Sequence, residues 1–229
     1  MRTIIITGAA GNLGNLVTRK FISSGYNVVA TVLDEAQKNE MPALKGLDVR
    51  IVDLTNAHES AVFVNDIIMQ YSQVHGVLAL VGGFAMGNID TTELTDISKM
   101  ITLNFATAFN ITKPLFSHFK AQKYGRLVFM GAKPALEAAD GKSALAYSLS
   151  KSLLFKLAEY LNAETQGENI VATVMVPSIL DTKVNRAAMP NADFSKWVDM
   201  EKLSDTFEFI FSHQADQLRE PIFKVYNNA

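Results

Sequence analysis

The chain has 229 residues, 48% hydrophobic and 19% charged, with a formal net charge of -2. That profile belongs to a globular enzyme with a sizeable core and lacks the basic excess that a nucleic-acid partner calls for. There is no Cys, and the four His are scattered without ligand spacing, so neither a disulfide framework nor a metal site is expected.

No apolar run reaches the roughly 18 residues of a membrane span, and the opening apolar run is too short for a signal peptide. The expected partner is a small-molecule substrate, not nucleic acid or membrane, and the expected location is the cytoplasm. In chain order, Thr3–Thr7 (TIIIT) predicts a first strand, and Leu13–Ser24 has helical spacing through Leu13, Leu16, Val17 and Phe21. Strands are then predicted over Asn27–Leu33, Leu47–Leu54 and Val74–Val81, with a helix over Ala61–Tyr71. A long helix over Thr92–Lys120 leads to a fifth strand, Arg126–Met130, and a second long helix covers Ser143–Thr165. Ile170–Val176 and Pro221–Val225 complete about seven strands.

Short, continuously apolar strands separated by helices predict a single-domain α/β fold. It is a doubly wound (Rossmann) parallel sheet with helices on both faces. Residues 177–215 show the least regular pattern and follow the sixth strand, where lids over active sites are often found.

TGAAGNLG, residues 7–14, lies between the first strand and the first helix. Gly8 permits a tight turn, Gly11 a close backbone approach, and Gly14 close packing of helix on strand, while Asn12 and Leu13 open the helix. Its free N–H groups and partial positive charge suit a pyrophosphate. Asp34 lies twenty residues after Gly14, where an acid would bind ribose hydroxyls, and inclines the expectation of NAD or NADP towards NAD. Asp53, followed by Leu54, ends the third strand and could accept from an adenine amino group. Gly82 and Gly83 leave room for a cofactor at the end of the fourth strand.

Tyr147 and Lys151 (YSLSK) are four residues apart and share a helix face. A free phenol has a pKa of about 10 and is a poor acid near neutrality. A neighbouring ammonium is expected to lower that value. Such a pair can deliver a proton to oxygen or nitrogen while a hydride reaches carbon.

Together these features resemble the short-chain dehydrogenase/reductase family across nearly the whole chain. The resemblance implies that Tyr147 is the acid–base group, that Lys151 tunes it and holds ribose, and that Asn104 (in LNF) supports a water relay. It also implies that Pro177 and Thr182 lie against the cofactor. The pattern departs in three places. Asn12 stands where the commoner motif has a glycine. VGGF replaces the NNAG-like turn. The Ser that normally precedes the Tyr falls at Pro134, with no hydroxyl between Met130 and Asp140. Losing such a donor typically costs about 10²–10³ in rate.

GAKPAL (131–136), the Gly-Gly-aromatic turn ending in Phe84 and the LDT-NR-MP-ADF-W block are similar to quinonoid dihydropteridine reductases, which also lack the Ser. In that block Met189, Phe194 and Trp197 either face the substrate or pack a lid onto the body. The expected function is thus hydride transfer from NAD(P)H to a small carbonyl or conjugated imine. Dihydropteridine reduction is a narrower alternative, and a catalytically silent NAD(P)-binding sensor or scaffold is a rival of another class. The resemblance further implies a homodimer or homotetramer formed through the two long helices.

Overall fold

The run TIIIT forms β1 (Thr3–Thr7), and all five residues are buried. The computed structural model describes residues 1–228. The side chains of β1 alternate between two cores. Ile5 joins one cluster, with Phe63, Ile67, Ile111 and Phe119. Ile4 and Ile6 join the other, with Val17, Phe21, Phe207 and Phe211. A strand apolar on both faces needs cover on both, and helices supply it.

After β1 come α1 (Asn12–Ser23), β2 (Asn27–Val32), α2 (Glu35–Glu40), β3 (Leu47–Ile51), α3 (Ala57–Tyr71) and β4 (Gly76–Ala79). Then follow α4 (Leu94–Ile101), a π-helical turn (Thr102–Ala106), α5 (Thr107–Gln122) and β5 (Tyr124–Met130). The chain ends with α6 (Ala138–Gly141), α7 (Leu145–Glu164), β6 (Asn169–Pro177), α8 (Lys183–Ala188), α9 (Met200–Phe211) and β7 (Ile222–Val225). The seven strands are all parallel, in the order β3-β2-β1-β4-β5-β6-β7. The order reverses between β1 and β4, and the crevice outside the strand ends at such a reversal is where ligands bind in this architecture.

Two expectations need correction. The single helix expected over 92–120 is three pieces, because the side chain of Asn104 turns inward to the backbone of Gly83 and the local winding loosens into a π turn. Such turns recur at functional sites. Residues 177–215 are also more regular than expected. They hold α8 and the twelve-residue α9, whose Leu203, Phe207 and Phe211 are buried against α1. The rings of Phe21 and Phe211 meet edge-on, with centroids 5.4 Å apart. Each such buried aromatic contributes about 1.5–3 kcal/mol. Helix α9, the second half of this segment, is therefore packed into the body.

Candidate active site

Gly8 sits at φ 62, in the left-handed region. A side chain on Gly14 would place its Cβ 2.3 Å from the Gly8 carbonyl oxygen, so only glycine lets α1 start this close to the turn. Gly11 is the N-cap of α1 and offers no side chain, so the exposed first turn keeps its N–H groups for an incoming anion. Asn12 is exposed and Leu13 half-buried at that end. Thr7 Oγ1 accepts from Leu80 N at 3.0 Å and from Val81 N at 3.3 Å, which fixes the exit of β4 beside the glycine turn.

A cleft of about 320 Å³ opens over these strand ends. Gly8 and Gly11 form one wall, Thr31, Leu33 and Gln37 a second, and Asp53, Leu54 and Thr55 a third, and Gly82 closes one end. Asp53 Oδ1 accepts from Thr55 N and Oγ1, at 2.9 and 2.7 Å. From α5, Asn110 Nδ2 donates to the Leu54 carbonyl at 2.9 Å and pins that wall. Another hollow, of about 390 Å³, lies between β3 and α3 at the sheet's outer edge, remote from β5 and α7.

Asp34 does not stand where expected. It is exposed and does not line the cleft; its Oδ1 accepts from Gln37 N at 2.8 Å and caps α2. Gln37 lines the cleft instead. The inclination towards NAD rested on Asp34 and loses its basis. The sequence did carry a signal: Asp34-x-x-Gln37 has the spacing of a capping box.

At the far end of the cleft the side chains of Asn104 and Lys151 converge on Gly82. A Cβ added to Gly82 would lie 2.6 Å from Asn104 Oδ1 and 3.0 Å from Lys151 Nζ, so that glycine must stay bare. Asn104 is buried; its Oδ1 accepts from Gly83 N at 2.9 Å, and its Nδ2 donates to Gly83 O at 3.1 Å and Ser150 Oγ at 2.9 Å. Ser150 Oγ in turn donates to the Tyr147 carbonyl at 2.7 Å. This fully buried serine links Asn104 to the helical turn that carries Tyr147, and pattern reasoning did not single it out. The loop after β4 is tied to the start of α7 by two bonds, Gly87 N to Ser143 O and Leu145 N to Gly87 O. That tie sets the Phe84 ring edge-on against Tyr147, with centroids 5.0 Å apart. Phe84 is itself 62% exposed.

The electrostatics of the pair differ from the expectation. Lys151 Nζ is buried and donates to the Met130 carbonyl at 2.8 Å. Burial pushes the Tyr147 phenol up to about 12 and the Lys151 amine down to about 8. Desolvation penalises the charged form of each. Burial therefore favours the neutral phenol over the phenolate.

Of the remaining expected residues, Pro177 is the buried end of β6, and Thr182 caps α8 by accepting from Asn185 N at 3.1 Å. Met189 ends α8, half-buried. Phe194 is held between the guanidinium of Arg186 at 4.7 Å and the Trp197 ring at 4.7 Å. Trp197 is only 5% exposed, and its carbonyl accepts from Asn227 Nδ2. It packs the segment onto the body. Among the described residues no cluster of metal-ligating side chains occurs, and no helix is long and apolar enough to cross a membrane.

The chain matches the family described as short chain dehydrogenase over residues 2–193. An acetoacetyl-CoA reductase of Acinetobacter sp. (strain RA3849) is 26% identical over 188 residues, covering 79% of this chain and 75% of that protein. A 2,3-dihydro-2,3-dihydroxybenzoate dehydrogenase of Escherichia coli (strain K12) is 23% identical over 192 residues, covering 84% and 75%. The solved structure described as ElxO with NADP bound shares the fold, with a TM-score of 0.89 at 16% identity over 98% of this chain and 96% of that one. The glycine turn, the seven-stranded parallel sheet and the match over most of the length agree: the chain belongs to the short-chain dehydrogenase family and is an NAD(P)-dependent dehydrogenase/reductase.

Proposed function

We propose that this enzyme works as a reductase of a small carbonyl or conjugated imine, with Tyr147 as proton donor. The observation that carries the reading is the convergence of Lys151 and Asn104 on Gly82, with Tyr147 one helical turn before Lys151 and covered by Phe84. The residues suit a dinucleotide: a bare helix N-terminus at Gly11, and glycines at 8, 14 and 82 where a Cβ would collide or lie in tight contact. Gly8, Gly11, Asn12, Leu13 and Gly14 would hold its phosphates. Asp53 and Leu54 would hold its adenine, and Gly82, Gly83, Pro177 and Thr182 its nicotinamide end. Bound NAD(P)H supplies the hydride.

The chain's own residues do the rest. Tyr147, held up at about 12, keeps its proton across the physiological range and gives it to the substrate oxygen or nitrogen. Lys151, still largely an ammonium below about pH 8, donates hydrogen bonds at the same spot. Asn104 holds the Gly82–Gly83 turn open. Phe84 excludes water from the phenol and offers its exposed face to substrate, and Met189 and Phe194, in the segment after β6, would contact the substrate as well.

The absence of a hydroxyl between Met130 and Asp140 favours a narrower reading, quinonoid dihydropterin, whose electron-poor ring needs less polarisation. The test is NADH and NADPH oxidation with ketones, aldehydes and freshly generated quinonoid dihydropterin. Turnover of at least one class above the substrate-free background is expected. Dinucleotide binding with no turnover of any would instead support a silent sensor.

The exposed Phe109 on α5 and Leu149 on α7 support assembly through these helices into a dimer or tetramer. Light scattering should return a multiple of 25.1 kDa, and a monomer would refute it.

A further inference from the structure

We infer that the adenosine ribose of the dinucleotide is read by the side-chain amide of Gln37 and not by Asp34, so that the enzyme binds NAD(H) and NADP(H) with similar affinity. The inference rests on the reading of the cleft as a dinucleotide site.

Gln37 lines the cleft beside Leu33, at the carboxyl end of β2. Its Oε1 accepts from Leu33 N at 2.9 Å, which fixes the orientation of the amide. Its Nε2 makes no hydrogen bond among the described residues, so two N–H donors remain for a ligand. Asp34 caps α2 and lies outside the cleft wall. No lysine or arginine lines the cleft, and its one charged side chain is Asp53, on the wall beyond β3.

An amide N–H can donate to a ribose hydroxyl oxygen and equally to a phosphate oxygen. A carboxylate at this position would repel a 2′-phosphate, and a guanidinium would select it bidentately. With neither present, dissociation constants for the two reduced cofactors should agree within about tenfold.

The test is equilibrium binding of NADH and of NADPH, followed by nicotinamide fluorescence, to the full-length protein and two variants. Gln37→Glu keeps the side-chain length and the capping spacing but introduces a charge. It should weaken NADPH at least about 30-fold, and NADH less than about threefold. Asp34→Asn keeps the helix cap and removes the charge, and should change neither by more than about threefold.

The inference is overturned if the wild type prefers one cofactor by about 100-fold or more, or if Gln37→Glu is silent. It is also overturned if Asp34→Asn shifts the preference. Failure of the wild type to bind either cofactor would sink the dinucleotide reading, and this inference with it. Binding without turnover would sink the reductase reading alone.

Discussion

Replacing Tyr147 by Phe is expected to lower kcat/KM for reduction at least about 10²-fold, the lower end of a general acid's contribution. The substitution removes one hydroxyl and keeps the ring that packs against Phe84 at 5.0 Å, so neither the fold nor the cleft should change. Dinucleotide affinity should stay within about threefold of wild type. The split between lost turnover and retained binding is the diagnostic part, because a merely structural tyrosine would lose both together. Steady-state kinetics beside a fluorescence titration check it, and unchanged turnover would reject the proton-donor role.

The second large effect is on stability. Burial holds Lys151 at about 8 against its ordinary 10.5, so between those values the folded protein binds fewer protons than the unfolded chain. Stability therefore rises with pH across that window. Below it the protein carries the full penalty of a buried ammonium, about 3 kcal/mol at about 1.4 kcal/mol per pKa unit. Lys151→Met keeps the stem, removes the charge and gives up one bond to the Met130 carbonyl, worth about 1 kcal/mol. At pH 7 the variant should be more stable by about 2 kcal/mol, some 4–8 °C in Tm for a chain this size, while its turnover falls. Above about pH 10 that advantage should vanish. Tyr147 acts in the opposite sense: its phenol, raised to about 12, keeps a proton that the unfolded chain gives up above 10, so stability declines there. Melting curves at pH 7 and pH 10 for both proteins test this. An equal loss of stability at the two values would contradict it.

Much of this was legible in the sequence, for identifiable reasons. A strand buried on both faces reads as a continuous apolar run, and TIIIT next to TGAAGNLG specifies a strand, a turn and a helix start through local geometry alone. Tyr147 and Lys151 follow from helical spacing. What escaped depends on contacts between distant segments. The break at Asn104 is made by bonds to Gly83, twenty-one residues back in the chain. The direction of the Tyr147 shift is set by how deeply packing buries the phenol, which spacing does not convey. The reassignment from Asp34 to Gln37 turns on which side of α2 faces the cleft. Helix α9 was readable, since Leu203, Phe207, Ile210 and Phe211 keep helical spacing behind the cap at Asp199.

The pH dependence of kcat/KM for carbonyl reduction by the wild-type enzyme tests the central claim most directly. With Tyr147 protonated to about 12 and Lys151 losing its proton at about 8, activity should hold level through neutrality and fall above about pH 8. A profile that stays flat to pH 10, or that climbs as the solution becomes alkaline, would contradict it.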